Sequence, residues 1–241
     1  MSYTKIDISG WERGELFSHY INNNRVVMSL TCDIDVAPLL EYTKQNGLKF
    51  YPAMIWAVSK IINAHDEFKY RLDSEGNLIK WDFLSPSYTD FHKEDENFVK
   101  FVTEYSDDLA DFHARALEDI EKYKGERAFV EGMPENFFDV SCLPWIRYTH
   151  FDIHTFGSGK FLAPIITWGK YQKQGDKTLM PVTISVHHAV CDGYHLCRFF
   201  TELEELIAEM RPPAEIQVEK EASEKQKDFL SCIKVLFSKG K

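Results

Sequence analysis

The chain has 241 residues, of which 44% are hydrophobic and 14% aromatic, enough apolar material for a large packed domain and too much for a disordered chain. Its formal charge of −10 argues against an extended nucleic-acid or anionic-membrane surface, because phosphates are repelled at long range. A local basic patch for a small anionic cosubstrate is still compatible with that charge.

The five cysteines are odd in number and widely spaced, with no CxxC pair, which reads as a reduced intracellular protein rather than a disulfide scaffold. The opening MSYTKIDISGWERGE has no apolar signal-like region, and no window approaches a membrane-spanning length. The expectation is a soluble, cytoplasmic protein.

In chain order, Val36 to Asn46 is predicted helical, with Gly47 in the closing position. A second helix follows Pro52, with Ile55, Val58, Ile61 and Ile62 on one face. FKYRLDSEGNLIKW reads as a β-hairpin turning at Ser74-Glu75-Gly76-Asn77. Asp107 to Lys124 carries Leu109, Phe112, Leu117, Ile120 and Tyr123 at helical spacing, with Gly125 closing it. Residues 161–190 are strand-like, and PVTISV alternates as a half-buried strand does. From Tyr194 onward, Leu196, Phe199, Phe200, Leu203, Leu206, Ile207 and Met210 form the stripe of a long amphipathic helix. The irregular mixture of strands and helices points to α/β layers with a mixed or antiparallel sheet. After residue 210 the composition turns charged, so residues 1–210 are read as the domain and 211–241 as an extension. Phe229, Ile233, Leu236 and Phe237 give that extension one helical stripe.

The chemistry concentrates in SVHHAVCDGYH, Ser185 to His195. On a helix, His188, Asp192 and His195 would share one face as metal ligands. The alternation before them ends a strand at the histidines instead, with Cys191-Asp192-Gly193 as a turn, which denies the metal reading its geometry. A structural reading makes His187 a core histidine and Asp192 a helix cap. A catalytic reading makes His188 an exposed base at a strand end, with Gly193 letting the backbone fold back. Such a base needs no serine or cysteine nucleophile if the substrate brings its own hydroxyl or thiol. The local residues leave the structural and catalytic readings open.

HHAVCDG resembles the HHxxxDG signature of CoA-dependent acyltransferases, which include dihydrolipoyl acyltransferases and the chloramphenicol acetyltransferases. The latter are the closer likeness. YTKIDISGWERGELF, KFYPAMIW, YTDFH, VSCLPW, FLAPIITWGKYQKQGD and MPVTISVHHAVCDGYH resemble their landmarks in order and spacing. The resemblance implies an α/β two-layer fold and a homotrimer with active sites between subunits. It also implies direct transfer of acetyl from acetyl-CoA to a hydroxyl of chloramphenicol, without a metal.

Carried over by position, His188 would be the general base. Asp192 would be its structural support, paired with Arg13, and Thr167 would help hold the transition state. Tyr20, Phe98, Phe161 and Leu162 would line the acceptor pocket, and Lys170 and Tyr171 would meet CoA. His150 stands where the family usually carries its oxyanion serine, five residues after the Pro-Trp pair, with Thr149 beside it, and Val26 and Met28 also depart from the usual pocket. Those departures keep two alternatives in view: a same-fold enzyme with another small hydroxylated acceptor, and a catalytically silent drug-binding homologue. A chain from a dehydrogenase-complex core is disfavoured, since no lipoyl domain or Ala/Pro linker is present.

Overall fold

The structure, a computed structural model, describes residues 2–155 and 160–211. In chain order it runs β1 (Tyr3–Lys5), α1 (Gly14–Asn22), β2 (Val27–Asp35), α2 (Ala37–Asn46), α3 (Phe50–Ala64), β3 (Tyr70–Leu72), β4 (Leu78–Trp81), β5 (Ser85–His92) and β6 (Asn97–Val102). It continues with α4 (Leu109–Tyr123), β7 (Ala128–Phe129), β8 (Phe137–Leu143), β9 (Ile165–Gly169), β10 (Gln172–Gln174), β11 (Lys177–His187) and α5 (Gly193–Glu209). Residues 212–241 lie outside the described residues, and with them the expected stripe of the extension.

An eight-stranded mixed sheet organises the molecule. At its centre β11 pairs antiparallel with β2 from Leu179 to His187 and with β9 from Val182 to Ser185. From β9 the sheet continues through parallel β8 and β5 to antiparallel β6. A small antiparallel sheet, β1-β4-β3, stands apart. The α/β mixed-sheet expectation is met.

Register explains the layering, because alternate side chains leave a strand on opposite faces. One face carries the row Leu30, Ile184, Ile166 and Val140. Ile184, Ile166 and Val140 are 0–3% exposed, within a core that α3 and α5 complete. The other face carries Thr31, Thr183, Thr167 and Ser141 in register. Two expectations are corrected here. Strand β11 is buried on both faces from Met180 to His187, not half-buried, because the segment after β8 folds back over its hydroxyl face. The Tyr148 hydroxyl donates to Thr167 O at 2.7 Å, and Asp152 accepts from Ser29 at 2.5 Å. Helix α3 is likewise buried almost all round, with Pro52 to Ser59, Ile61 and Ile62 inside.

Local chemistry sets the element ends. Gly47 closes α2 at φ +67°, in the left-handed region that glycine enters at little cost. Asp108 caps α4 by accepting from the Asp111 N–H at 2.8 Å. The hairpin turns through Asp73, whose carboxylate accepts the N–H groups of Glu75 and Asn77. Helix α1 carries no strong periodic signal beyond Phe17 and Ile21, which are buried, and the sequence reading passed over it.

Candidate active site

The strand ends at His187, and His188-Ala189-Val190 form the turn that follows. The two histidines take different duties. His187 is 3% exposed, and its Nδ1 accepts the Ala189 N–H at 3.1 Å, so it shapes the turn from inside. His188 is anchored by its backbone N–H to Val26 O at 2.9 Å. Its ring stacks on Tyr20 at 4.1 Å between centroids. Nδ1 of His188 lies 2.8 Å from Cys191 O. A carbonyl only accepts, so Nδ1 carries the proton and Nε2 keeps its lone pair. That is the tautomer a general base requires.

Gly193 is not the folding-back point the sequence suggested. It is the first residue of α5, its φ is not positive, and a Cβ there would meet nothing within 4 Å. The close return is made by an arginine instead. Arg13, at the N-cap of α1, donates from Nε to Ala189 O at 2.8 Å and from Nη2 to His188 O at 2.8 Å and Cys191 O at 3.2 Å. It also grips Asp192 with both Nη atoms, at 2.6 and 2.7 Å. One guanidinium therefore satisfies three turn carbonyls and a bidentate carboxylate. Arg13 holds the Asp192 carboxyl below the usual carboxylate range. Asp192 Oδ1 in turn stands 3.3 Å from His188 Nδ1. The two histidines thus differ in burial: His187 is the core histidine of the structural reading, and the His188 side chain is 23% exposed at the strand's end.

The remaining candidates lie elsewhere. Thr167 is opposite Thr183 on β11, five residues before His188, which is roughly 16 Å along a strand. Phe98 is on β6, four strands from β11, roughly 19 Å across the sheet. Phe161 is exposed, whereas Leu162 is packed into the core at 2% exposure. Lys170 and Tyr171 line a cavity of about 510 Å³ with Phe50, Tyr51, Phe91 and Trp145. Tyr171 meets Phe50 edge-on at 5.7 Å. A single chain therefore brings Arg13, Tyr20, His188 and Asp192 together, while Thr167 and Phe98 stand away from them and Lys170 and Tyr171 line a separate cavity.

Thr149 and His150 are exposed on the loop after β8. Sequence reasoning missed Ser141, which stands opposite Thr167 in register, and Tyr148, which ties the covering loop to Thr167 and Thr183. The alternation in FFDVSCL was the available signal for Ser141. Neither nearby cysteine suits nucleophilic work, since burial pushes the Cys142 thiol up to about 12 and the Cys191 thiol higher still. Among the described residues no cluster of His, Cys, Asp and Glu has metal-holding geometry, and no helix is long and apolar enough to cross a membrane.

The chloramphenicol acetyltransferase family model matches residues 1–204. The chain is 41% identical over 208 residues to a chloramphenicol acetyltransferase of Clostridium butyricum, spanning 86% of this chain and 95% of that one. It is 40% identical over 210 residues to one of Campylobacter coli, covering 86% and 99%. It is 38% identical over 208 residues to chloramphenicol acetyltransferase 3 of Escherichia coli, covering 86% and 97%. Among solved structures, a chloramphenicol acetyltransferase superposes with a TM-score of 0.76 at 22% identity, over 86% of this chain and all of that one. The cubic core of a pyruvate dehydrogenase complex superposes at 0.61 and 20% identity, over 81% and 86%, a likeness of fold. With the family model, the relatives and the HHAVCDG turn in agreement, the chain belongs to the chloramphenicol acetyltransferase family.

Proposed function

We propose that this protein transfers the acetyl group of acetyl-CoA to a hydroxyl of chloramphenicol, inactivating the antibiotic, as a cytoplasmic homotrimer. The observation that carries the mechanism is the Cys191 carbonyl, 2.8 Å from His188 Nδ1, which leaves Nε2 as the free base. In this reading Nε2 takes the acceptor's hydroxyl proton while that oxygen attacks the thioester carbonyl. The C–O bond forms as the carbonyl becomes an oxyanion. The oxyanion then collapses, the C–S bond breaks, and the CoA sulfur recovers the proton from His188. No covalent acetyl-enzyme is needed. Asp192, fixed by Arg13, steadies the transient imidazolium.

The oxyanion needs a donor aimed at it. Thr167 and Ser141, neighbours in register, supply hydroxyls for that half of the site, and Ser141 is the better candidate than exposed His150. Tyr20, Phe98 and Phe161 are assigned to the acceptor pocket, an aromatic slot suited to a nitrophenyl ring, whereas Leu162 belongs to the core behind it. Lys170 and Tyr171 are assigned to CoA, as a cation for phosphate and a ring for adenine. The distance of Thr167 and Phe98 from His188 within one chain supports completion of each site by a second copy. Residues 1–210 form the acetyltransferase domain in this reading, and 211–241 a charged extension of it.

Thiol release from acetyl-CoA, with and without chloramphenicol, tests the proposal. Drug-dependent release by the native protein, abolished in His188→Ala without loss of the trimer, is the expected result. Release unaffected by His188→Ala overturns the base assignment. Turnover of other alcohols, with chloramphenicol ignored, overturns the acceptor. Drug binding without any thiol release would mark a silent homologue.

A further inference from the structure

Asp192 has two histidine neighbours, and the reaction above uses only one. The Asp192 N–H donates to Nδ1 of His195 at 2.8 Å. An amide N–H only donates, so this nitrogen holds a lone pair and the proton of the neutral ring sits on Nε2. That Nε2 is 4.0 Å from Glu67 Oε1, and Glu67 also accepts from Arg198. His188 is held in the opposite tautomer by Cys191 O. One carboxylate therefore lies between two rings, with Oδ1 3.3 Å from His188 Nδ1 and Oδ2 3.9 Å from His195 Nδ1.

We infer that His195 is a positioning residue for the base: its neutral ring clamps the first turn of α5, and with it the carboxylate bracing His188, and protonation releases that clamp. The geometry leaves little choice. An added proton must go onto Nδ1, where the Asp192 N–H already points, so the bond is replaced by two opposed donors. The new N–H also faces Oδ2, the oxygen that Arg13 Nη1 holds at 2.6 Å, and competes for it. His195 is the third residue of α5, after the cap Asp192. Glutamine at that position serves the same purpose in capping boxes, reaching back to the N-cap N–H.

Charges face the ring from each element packed on it. Arg13 comes from the start of α1, Glu67 from the turn Asp66–Phe68, Arg198 from the next turn of α5, and Asp192 from the loop, with His188 beyond that carboxylate. Burial is the largest influence and keeps His195 below the ordinary histidine range. The two guanidiniums add to it, and the two carboxylates oppose. The clamp is thus closed at neutral pH.

This inference rests on His188 being the base, and the test separates the two. We would measure kcat and KM for both substrates from about pH 5 to 9 in the native trimer, His195→Gln, His195→Phe and His188→Ala. His195→Phe should lose about 10- to 100-fold in kcat, the range expected of small misplacements, with KM nearly unchanged. His195→Gln keeps an acceptor that does not titrate, so kcat should stay within about threefold of native. The acid limb of kcat/KM should steepen towards two protons in the native enzyme and remain at one in His195→Gln. Full kcat in His195→Phe, an equal loss in His195→Gln, or identical acid limbs would overturn the clamp. Should His195→Phe not fold, the His195→Gln profile decides alone. Activity in His188→Ala would instead overturn the base assignment, a separate failure read from a separate variant.

Discussion

Arg13 shows how much one side chain can fix. Its guanidinium holds three backbone carbonyls and both Asp192 oxygens, while its own side chain is only 14% exposed. Arg13→Ala leaves those acceptors unpaired and is expected to cost about 2 kcal/mol, a buried-pair loss reduced because Asp192 is partly solvated. Thermal melting should fall by roughly 4–8 °C, with most activity lost. The pH dependence follows from the lowered Asp192 carboxyl. Its contribution is complete above the unfolded value near ~3.9 and is lost as pH falls through the folded value. The stability gap between native protein and Arg13→Ala should therefore be widest near neutrality and narrow towards about pH 3. A gap independent of pH would place the arginine's effect in the carbonyls alone.

At the scale of elements, two contacts set how helices and loops meet the sheet. His113 on α4 accepts the Lys49 N–H at the start of α3 through Nε2 at 2.8 Å. Burial, with Lys49 nearby, holds its pKa below the ordinary value. A histidine with a depressed folded pKa stabilises fully above the unfolded value of ~6.5, and that contribution is lost as pH falls through the folded value. His113→Gln, which does not titrate, should flatten the melting curve's dependence on pH between about 4 and 7. An unchanged dependence would show that His113 contributes nothing there. Gly169 ends β9 beneath the covering loop. A Cβ there would lie 2.9 Å from Ile146 O and from the Tyr148 ring, so Gly169→Ala must lift the loop. The expected cost is about 2 kcal/mol, with kcat reduced because Tyr148 leaves Thr167. Native melting and native kcat together would show that the loop yields freely.

For the whole molecule, the decisive issue is which halves make a site. If each site joins His188 of one copy to Thr167 of the next, co-assembly of His188→Ala chains with Thr167→Ala chains must restore activity. Random mixing in equal amounts should yield about one quarter of native sites. Sites built within one chain would stay inactive in every mixture. Equal-mixture refolding followed by the thiol-release assay reads the difference directly.

Several features were legible in the sequence because they depend on local chemistry. Gly47 closes its helix where its spacing said, the Asp73 hairpin turns, α5 buries its stripe of Leu196, Phe199, Phe200, Leu203 and Ile207, and the strand stops at the histidines. The pairing of Arg13 with Asp192 came only from the family resemblance, since residues 179 positions apart carry no periodic trace of each other. The half-buried reading of β11 failed because alternation reports polarity, and Thr183 and Ser185 are polar yet buried, paired with Thr31 and Ser29. Only the tertiary structure decided which nitrogen of His188 is free, which face the loop after β8 covers, and how His195 meets Asp192. Each of these depends on backbone groups brought together by the fold, and a backbone carbonyl such as that of Cys191 has no letter in the sequence to announce what it will hold.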